Sequence, residues 1–125
     1  MKFIDSNILA YAFYENPFQE LCQKQIKEGG YTDTLTLIEA FNIIELQTKR
    51  EIATSSIKGL LKSNLKIIDI DLNLIFEALK RSDTYKKLNF LDLIHYTSAL
   101  LHHCEIIVTY DKDFNGLELK RNEPA

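Results

Sequence analysis

Acidic side chains stand at separate places in the chain where a strand candidate ends, a helix candidate begins or a turn follows. They are Asp5, Glu39, Asp92, Asp111 and Asp113. Each has an ordinary local explanation, because aspartate is common at helix starts and in turns, and Thr36-Leu-Ile-Glu39 fits a helix capping box. Together they offer only carboxylate oxygens, which are ligands that Mg²⁺ and Mn²⁺ prefer. The first chemical hypothesis for this sequence is therefore a divalent-metal site.

The elements that must position these acids alternate between strands and helices. Strands are predicted at residues 2–5, 31–33, 65–70 and 105–109, with a short edge strand at 117–119. Helices are predicted over residues 7–27 with a break at 15–16, and over 37–48, 51–63, 71–85 and 89–103. The strands lack strict polar alternation, which is typical of a parallel sheet covered on both faces. The sequence predicts one domain over residues 1–125, a three-layer α/β/α sandwich with a mostly parallel sheet of four or five strands.

The helix predicted after residue 70 has a cap residue and a stripe of apolar side chains. Asp71 is predicted as its N-cap, because aspartate at this position accepts a hydrogen bond from the first helical turn. The side chains predicted to face the core are Leu72, Ile75, Phe76 and Leu79. This assignment rests on apolar spacing alone.

This topology predicts that the acids meet in space. In a parallel α/β sheet, ligand sites form beyond the carboxyl ends of the strands. Asp5 and Asp111 end or follow strands, and Asp92 begins a helix that runs back into the strand at 105–109. Carboxylates gathered there repel one another unless cations or protons bind. Two Mg²⁺ or Mn²⁺ ions about 3.5–4 Å apart at such a cluster can activate a water for phosphodiester hydrolysis, with no Ser, Cys or His nucleophile.

Composition limits the class of protein. The chain has 125 residues, of which 46% are hydrophobic and 26% charged, as in ordinary globular domains and unlike disordered chains. Its two cysteines, Cys22 and Cys104, are too few for a disulfide scaffold, so a reducing, cytoplasmic location is expected. No apolar run approaches the roughly 20 residues that span a bilayer. The net charge of −3 argues against a generic basic coat protein for nucleic acids. Bound divalent ions would still allow a polyanion to approach the acids.

The histidines and a neighbouring cysteine raise the alternative of a zinc site. His95, His102, His103 and Cys104 have no second Cys/His pair at zinc-finger spacing. Surface or half-buried histidines are therefore the expected state of all three.

Four sequence motifs resemble those of a known family. They are Phe3-Ile-Asp5-Ser-Asn7-Ile-Leu, Leu35-Thr-Leu-Ile-Glu39, Leu91-Asp92-Leu-Ile-His-Tyr-Thr-Ser-Ala99 and Val108-Thr109-Tyr-Asp111-Lys-Asp113-Phe114. In this order, across nearly the whole chain, they resemble the PIN-domain ribonucleases, and most of all the VapC toxins of prokaryotic toxin–antitoxin pairs.

The resemblance implies roles for particular residues and partners. It implies a site for one or two Mg²⁺ or Mn²⁺ ions built by Asp5, Glu39, Asp92 and Asp111, with Asp113 as a fifth acid. Asn7 and Thr109 match positions that support such a cluster by hydrogen bonding. The resemblance further implies endonucleolytic cleavage of RNA, homodimerisation and inhibition by a small DNA-binding antitoxin.

Several alternatives stay open at this point. Glu45 is a competing acid on the same helix as Glu39, but it lies nearly two turns deeper. Lys86 and Lys87 precede the helix of Asp92 and are predicted at the rim of the site, where they could bind RNA phosphates. A free-standing nuclease of RNA maturation, or a non-catalytic α/β module that binds metal or protein, remains possible from the residues alone.

Overall fold

A five-stranded sheet organises the chain. In the computed structural model, which describes residues 1–125, the strands are β1 (Lys2–Ile4), β2 (Gly30–Asp33), β3 (Leu65–Ile68), β4 (Ile106–Val108) and β5 (Lys120–Asn122). Their order is β3-β2-β1-β4-β5, and every pairing is parallel. All carboxyl ends of the strands therefore lie at one edge of the sheet. The predicted parallel α/β architecture is confirmed, with five strands.

Six helices connect the strands and cover both faces of the sheet. They are α1 (Ser6–Tyr11), α2 (Gln19–Glu28), α3 (Thr34–Gln47), α4 (Arg50–Leu61), α5 (Leu72–Lys80) and α6 (Phe90–Leu101). Phe3 and Ile107, which are paired in register, belong to one buried cluster, whereas their neighbours Ile4 and Val108 belong to a second. Successive side chains of a strand point to opposite faces, so the two clusters are the two cores of a three-layer sandwich. None of the helices combines the length and apolar character needed to cross a membrane.

The predicted break in the first helical region is confirmed but is wider than expected. Residues 12–18 separate α1 from α2, and the side chain of Asn16 holds this turn together. Its Nδ2 donates to the carbonyls of Tyr11 at 2.9 Å and Tyr14 at 2.7 Å, and its Oδ1 accepts from the Phe18 N–H at 2.8 Å. Asparagine commonly satisfies backbone groups of turns in this way.

The last strand was predicted at residues 117–119 and this position was wrong. Leu119 is buried in the core, and its N–H donates to the hydroxyl of Tyr96 at 2.9 Å instead of joining β4. The edge of the sheet is formed by the polar residues that follow, Lys120–Asn122. Charged residues are favoured on an edge strand because they discourage pairing with other chains.

The predicted inward face of α5 was also largely wrong. Leu74 and Ala78 are buried, whereas Leu72, Phe76 and Leu79 are 84%, 59% and 55% exposed. The helix carries apolar residues on two opposite faces, so the spacing alone does not select between them. The small side chain of Ala78 lies on the face that packs against α6. The opposite face, defined by Leu72, Phe76 and Leu79, remains an exposed apolar surface.

Candidate active site

Asp5 is fixed at the carboxyl end of β1 by a network that includes the end of β4. It is the N-cap of α1, and its Oδ1 accepts from the Ser6 N–H at 2.7 Å. Its Oδ2 accepts from the hydroxyl of Thr109 at 2.7 Å and from Nδ2 of Asn7 at 3.4 Å. The Thr109 hydroxyl in turn accepts from the Asp111 N–H at 3.0 Å. The two residues expected to support the acids, Asn7 and Thr109, therefore both hydrogen-bond to Asp5.

Glu39 reaches the same edge from the second turn of α3. The predicted capping box at Thr36 and Glu39 was wrong, because the N-cap of α3 is Asp33, whose Oδ1 accepts from the Thr36 N–H at 2.7 Å. Glu39 therefore has no role in capping α3. Oxygens of Asp5 and Glu39 and a ring nitrogen of His95 all lie within 4.8 Å of one another.

Asp92, Asp111 and Asp113 form the second half of the cluster. Asp92 lies in the first turn of α6, where Asn89 is the N-cap and accepts from the Asp92 N–H at 2.8 Å. Asp111 caps the short 3₁₀ turn Lys112–Phe114, and its Oδ1 accepts from the Asp113 N–H at 2.9 Å. Carboxylate oxygens of the three aspartates lie within 4.8 Å of one another.

The two halves of the cluster act on each other electrostatically. Burial, followed by the negative charges of Asp5 and Asp111, raises the pKa of Asp92 to about 7. Burial also raises the pKa of Asp5, against the opposing effects of His95 and the hydrogen bond from Thr109. The structure therefore brings all five predicted acids together at one edge of the sheet. Their donor atoms are mostly carboxylate oxygens, which fit a hard cation such as Mg²⁺ or Mn²⁺.

His95 was missed as a functional residue, and its expected exposure was wrong. It is completely buried, with Nδ1 at 2.7 Å from Oδ2 of Asp33 and Nε2 at 2.6 Å from Oε1 of Glu39. Burial by itself lowers the pKa of His95, but the bonds to these two carboxylates outweigh it and raise the pKa to about 10. Two signals were available: Asp33 ends a strand, as Asp5 does, and His95 follows Asp92 by three residues on one helix face.

The other residues singled out by the sequence lie outside the cluster. Glu45 pairs with Arg50 at 2.5 Å, so it is not a member of the acidic site. Lys87 donates to the carbonyl of Asn115, directly after the turn of Asp111 and Asp113, and Lys86 is exposed next to it. The contact places Lys87 near the turn of Asp111 and Asp113, and a position for Lys86 at the rim stays a prediction.

The cluster extends from the interior to the surface. Asp5 is buried at 3% exposure, Glu39, Asp92 and Asp111 are half-buried, and Asp113 is exposed. The half-buried and exposed acids are therefore the ones that a ligand can reach from solvent.

Comparison with known proteins decides the family. The family model described as "PIN domain" matches residues 2–118. The chain belongs to the PIN domain family. This match supports a hydrolase that acts on nucleic acid. No curated protein matches the sequence significantly.

Solved structures with the same PIN fold come from toxin–antitoxin systems. The Mycobacterium tuberculosis toxin VapC20, described as cleaving the sarcin–ricin loop, has a TM-score of 0.77 and 12% identity over 91% of this chain and 92% of that one. A toxin–antitoxin complex from Klebsiella pneumoniae has a TM-score of 0.74 and 19% identity over 100% and 98%. VapBC2 from Rickettsia felis, bound to a promoter DNA fragment, has a TM-score of 0.72 and 18% identity over 98% and 97%. At these identities the likeness shows the fold.

Proposed function

We propose that this PIN domain is a divalent-metal-dependent endoribonuclease that hydrolyses RNA phosphodiester bonds with a metal-activated water. The observation that carries the proposal is the meeting of five acids from remote segments at the carboxyl edge of the sheet. An uncompensated cluster of this kind is unfavourable, and one of its members holds a proton near neutral pH. A cation bound by the cluster would offset the repulsion between these carboxylates, which accounts for their close placement in the fold.

The acids form two groups of proposed metal ligands. Asp5 and Glu39 are the ligands proposed for one half of the site, and Asp92, Asp111 and Asp113 those for the other. Asn7 and Thr109 hold Asp5 in place through their hydrogen bonds. When bound, one or two Mg²⁺ or Mn²⁺ ions would polarise the phosphate and lower the pKa of a water.

The substrate proposed is RNA, bound over the solvent-exposed side of the acidic cluster. Lys112 is exposed between Asp111 and Asp113, and Lys86 and Lys87 are exposed on the segment before α6. These lysines are proposed to contact phosphates. Such contacts contribute affinity without base specificity. The support for a nucleic-acid substrate is the PIN family match, together with the exposed lysines near the acids.

We further propose that the protein is the toxin of a toxin–antitoxin pair. The support is that the Klebsiella pneumoniae and Rickettsia felis relatives in the fold were solved as complexes of such systems, the latter with DNA. The partner proposed is a small DNA-binding antitoxin.

The apolar surface of Leu72, Phe76 and Leu79 offers contact area for the expected homodimer, because monomeric proteins rarely leave such patches uncovered. Light scattering after size exclusion tests the dimer, which Phe76→Glu should dissociate.

The test of the nuclease is an RNA cleavage assay with Mg²⁺, Mn²⁺ or a chelator. Wild-type protein should cleave RNA only with metal, and Asp92→Asn should lose cleavage while keeping the fold. Glu39→Gln and Glu45→Gln form a matched pair, because both change one acid of α3 and only Glu39 lies in the cluster. Loss of activity in the first and full activity in the second is the expected result.

Two outcomes would overturn the proposed chemistry. Cleavage that persists in Asp92→Asn, with contaminating nuclease excluded, would remove the acids from catalysis. Cleavage that is unaffected by chelator would remove the metal. The toxin role is tested separately: expression of wild type should arrest growth, Asp92→Asn should not, and the product of a small adjacent gene should relieve the arrest. Robust cleavage without growth arrest would favour a nuclease of RNA maturation.

A further inference from the structure

His95 lies between two carboxylates and uses both ring nitrogens. Nδ1 contacts Oδ2 of Asp33 at 2.7 Å and Nε2 contacts Oε1 of Glu39 at 2.6 Å, and the ring itself is fully buried. An ionised carboxylate only accepts hydrogen bonds, so each nitrogen donates and the ring is an imidazolium. The chain therefore contains a continuous Asp33–His95–Glu39 bridge, whose members come from the end of β2, from α6 and from α3.

Asp33 is the fixed end of this bridge. It is completely buried, and its Oδ1 is held by the Thr36 N–H at the start of α3. Its Oδ2 then sets the position of the imidazole. Glu39 is the other end and is partly exposed, with a side-chain exposure of 26%. Because Oε1 of Glu39 is occupied by His95, only Oε2 is free of hydrogen bonds within the chain.

We propose that Asp33 and His95 are positioning residues that hold Glu39 as a one-oxygen ligand of the metal. The inference rests on the proposed metal site. Glu39 has a long side chain with several rotatable bonds, and the bridge fixes its carboxylate next to Asp5 before any metal binds. Partners that hold a metal ligand from behind typically matter for metal affinity about 10- to 100-fold.

A direct bond from His95 to the metal is the competing geometry. The ring nitrogen lies within 4.8 Å of oxygens of Asp5 and Glu39, so distance alone allows it. Nε2 is already bonded to Glu39, however, and Mg²⁺ and Mn²⁺ favour oxygen ligands.

The test compares two uncharged replacements of His95 by their Mn²⁺ affinity, measured from the electron paramagnetic resonance signal of free Mn²⁺. The amide of His95→Gln reaches the place of Nε2 and keeps a donor for Glu39. The amide of His95→Asn reaches only the place of Nδ1 and serves Asp33 alone. Both variants lose the same charge and each keeps one bond of the bridge, so their difference reports which of the two bonds controls metal affinity. The expected dissociation constant for Mn²⁺ is about tenfold larger in His95→Asn than in His95→Gln.

A second pair tests the other end of the bridge and guards against misfolding of a buried substitution. Serine and asparagine both serve well as N-caps, so Asp33→Ser and Asp33→Asn each preserve the start of α3. Only asparagine leaves an atom next to Nδ1 of His95. Mn²⁺ should bind more weakly to Asp33→Ser than to Asp33→Asn, with the melting curves of both variants showing that they are folded at the assay temperature.

Each outcome has a distinct meaning. Equal Mn²⁺ affinities within both pairs would overturn the positioning role and leave the metal site intact, provided that Asp5→Asn still weakens binding. A loss of Zn²⁺ or Ni²⁺ affinity much greater than the loss of Mn²⁺ affinity in both His95 variants would show that the nitrogen is itself a ligand. No Mn²⁺ binding by the wild-type protein would overturn the proposed metal site and the bridge's role with it.

Discussion

Replacing Asp92 with asparagine should stabilise the metal-free protein at pH 8. Burial, followed by the charges of Asp5 and Asp111, raises the pKa of Asp92 from its ordinary 3.8 to about 7. Between these two values the folded protein binds a proton that the unfolded chain has already released. The free energy of unfolding therefore falls as pH rises through this range. Asparagine is neutral at every pH and escapes this loss.

The magnitude follows from the two pKa values. The difference between 3.8 and about 7 corresponds to about 4 kcal/mol if the group is fully shielded from water. Asp92 is partly exposed, so screening by solvent reduces this to about 2 kcal/mol. The positive end of α6 attracts the carboxylate by about 0.3–1 kcal/mol, which also favours the lower figure. At pH 5 most of the loss has not yet occurred, and the gain from Asp92→Asn should be below about 1 kcal/mol.

Thermal unfolding in the presence of a chelator measures this effect. For a chain of this length, about 2 kcal/mol corresponds to a rise in melting temperature of roughly 8 °C at pH 8. The rise should shrink to a few degrees at pH 5. Saturating Mg²⁺ should reverse the order at pH 8, because a ligand that binds only the folded wild type stabilises it by mass action.

The matched control is Asp83→Asn, which changes an exposed aspartate in the loop after α5. A surface substitution of this kind should change stability by less than about 0.5 kcal/mol at either pH. An Asp92→Asn protein that is less stable than wild type at pH 8 would refute the electrostatic account. So would an equal stability difference at pH 5 and pH 8.

Three further predictions concern the metal, the backbone and a cap. The apparent Mn²⁺ affinity should rise about tenfold from pH 6 to pH 8 in a calorimetric titration, because the metal displaces the proton of Asp92. An affinity that is constant over this range would contradict the prediction. Gly30→Ala should destabilise the fold by about 1–3 kcal/mol in urea unfolding, because Gly30 has φ 139° and a Cβ there would lie 2.8 Å from the carbonyl of Lys2. Asn89→Ala should cost about 1 kcal/mol in the same assay through loss of the α6 cap, whereas Asn89→Ser, which keeps an uncharged cap, should cost little.

Much of the fold was predictable because its signals are local. Strand ends, helix caps such as Asp71 and Asn89, and the alternation of strands with helices depend on residues within a few positions of one another. The meeting of the acids followed from one further rule, that parallel strands place their carboxyl ends at a common edge. The same rule applied to Asp33 would have brought it to the site, but the cap of α3 was assigned to Thr36 instead.

The sequence by itself determined the parallel α/β architecture and the acids at one edge of the sheet. The tertiary structure alone decided which apolar face of α5 is buried, since both faces satisfy the helical period and packing against α6 covers the face of Leu74 and Ala78. It also determined the burial and the hydrogen-bond partners of His95, because Asp33 and Glu39 lie 62 and 56 residues away along the chain. The local sequence pattern determines the secondary structure. Electrostatic and packing interactions also join residues that are distant along the chain, so these contacts exist only once the sheet and its helices have packed together.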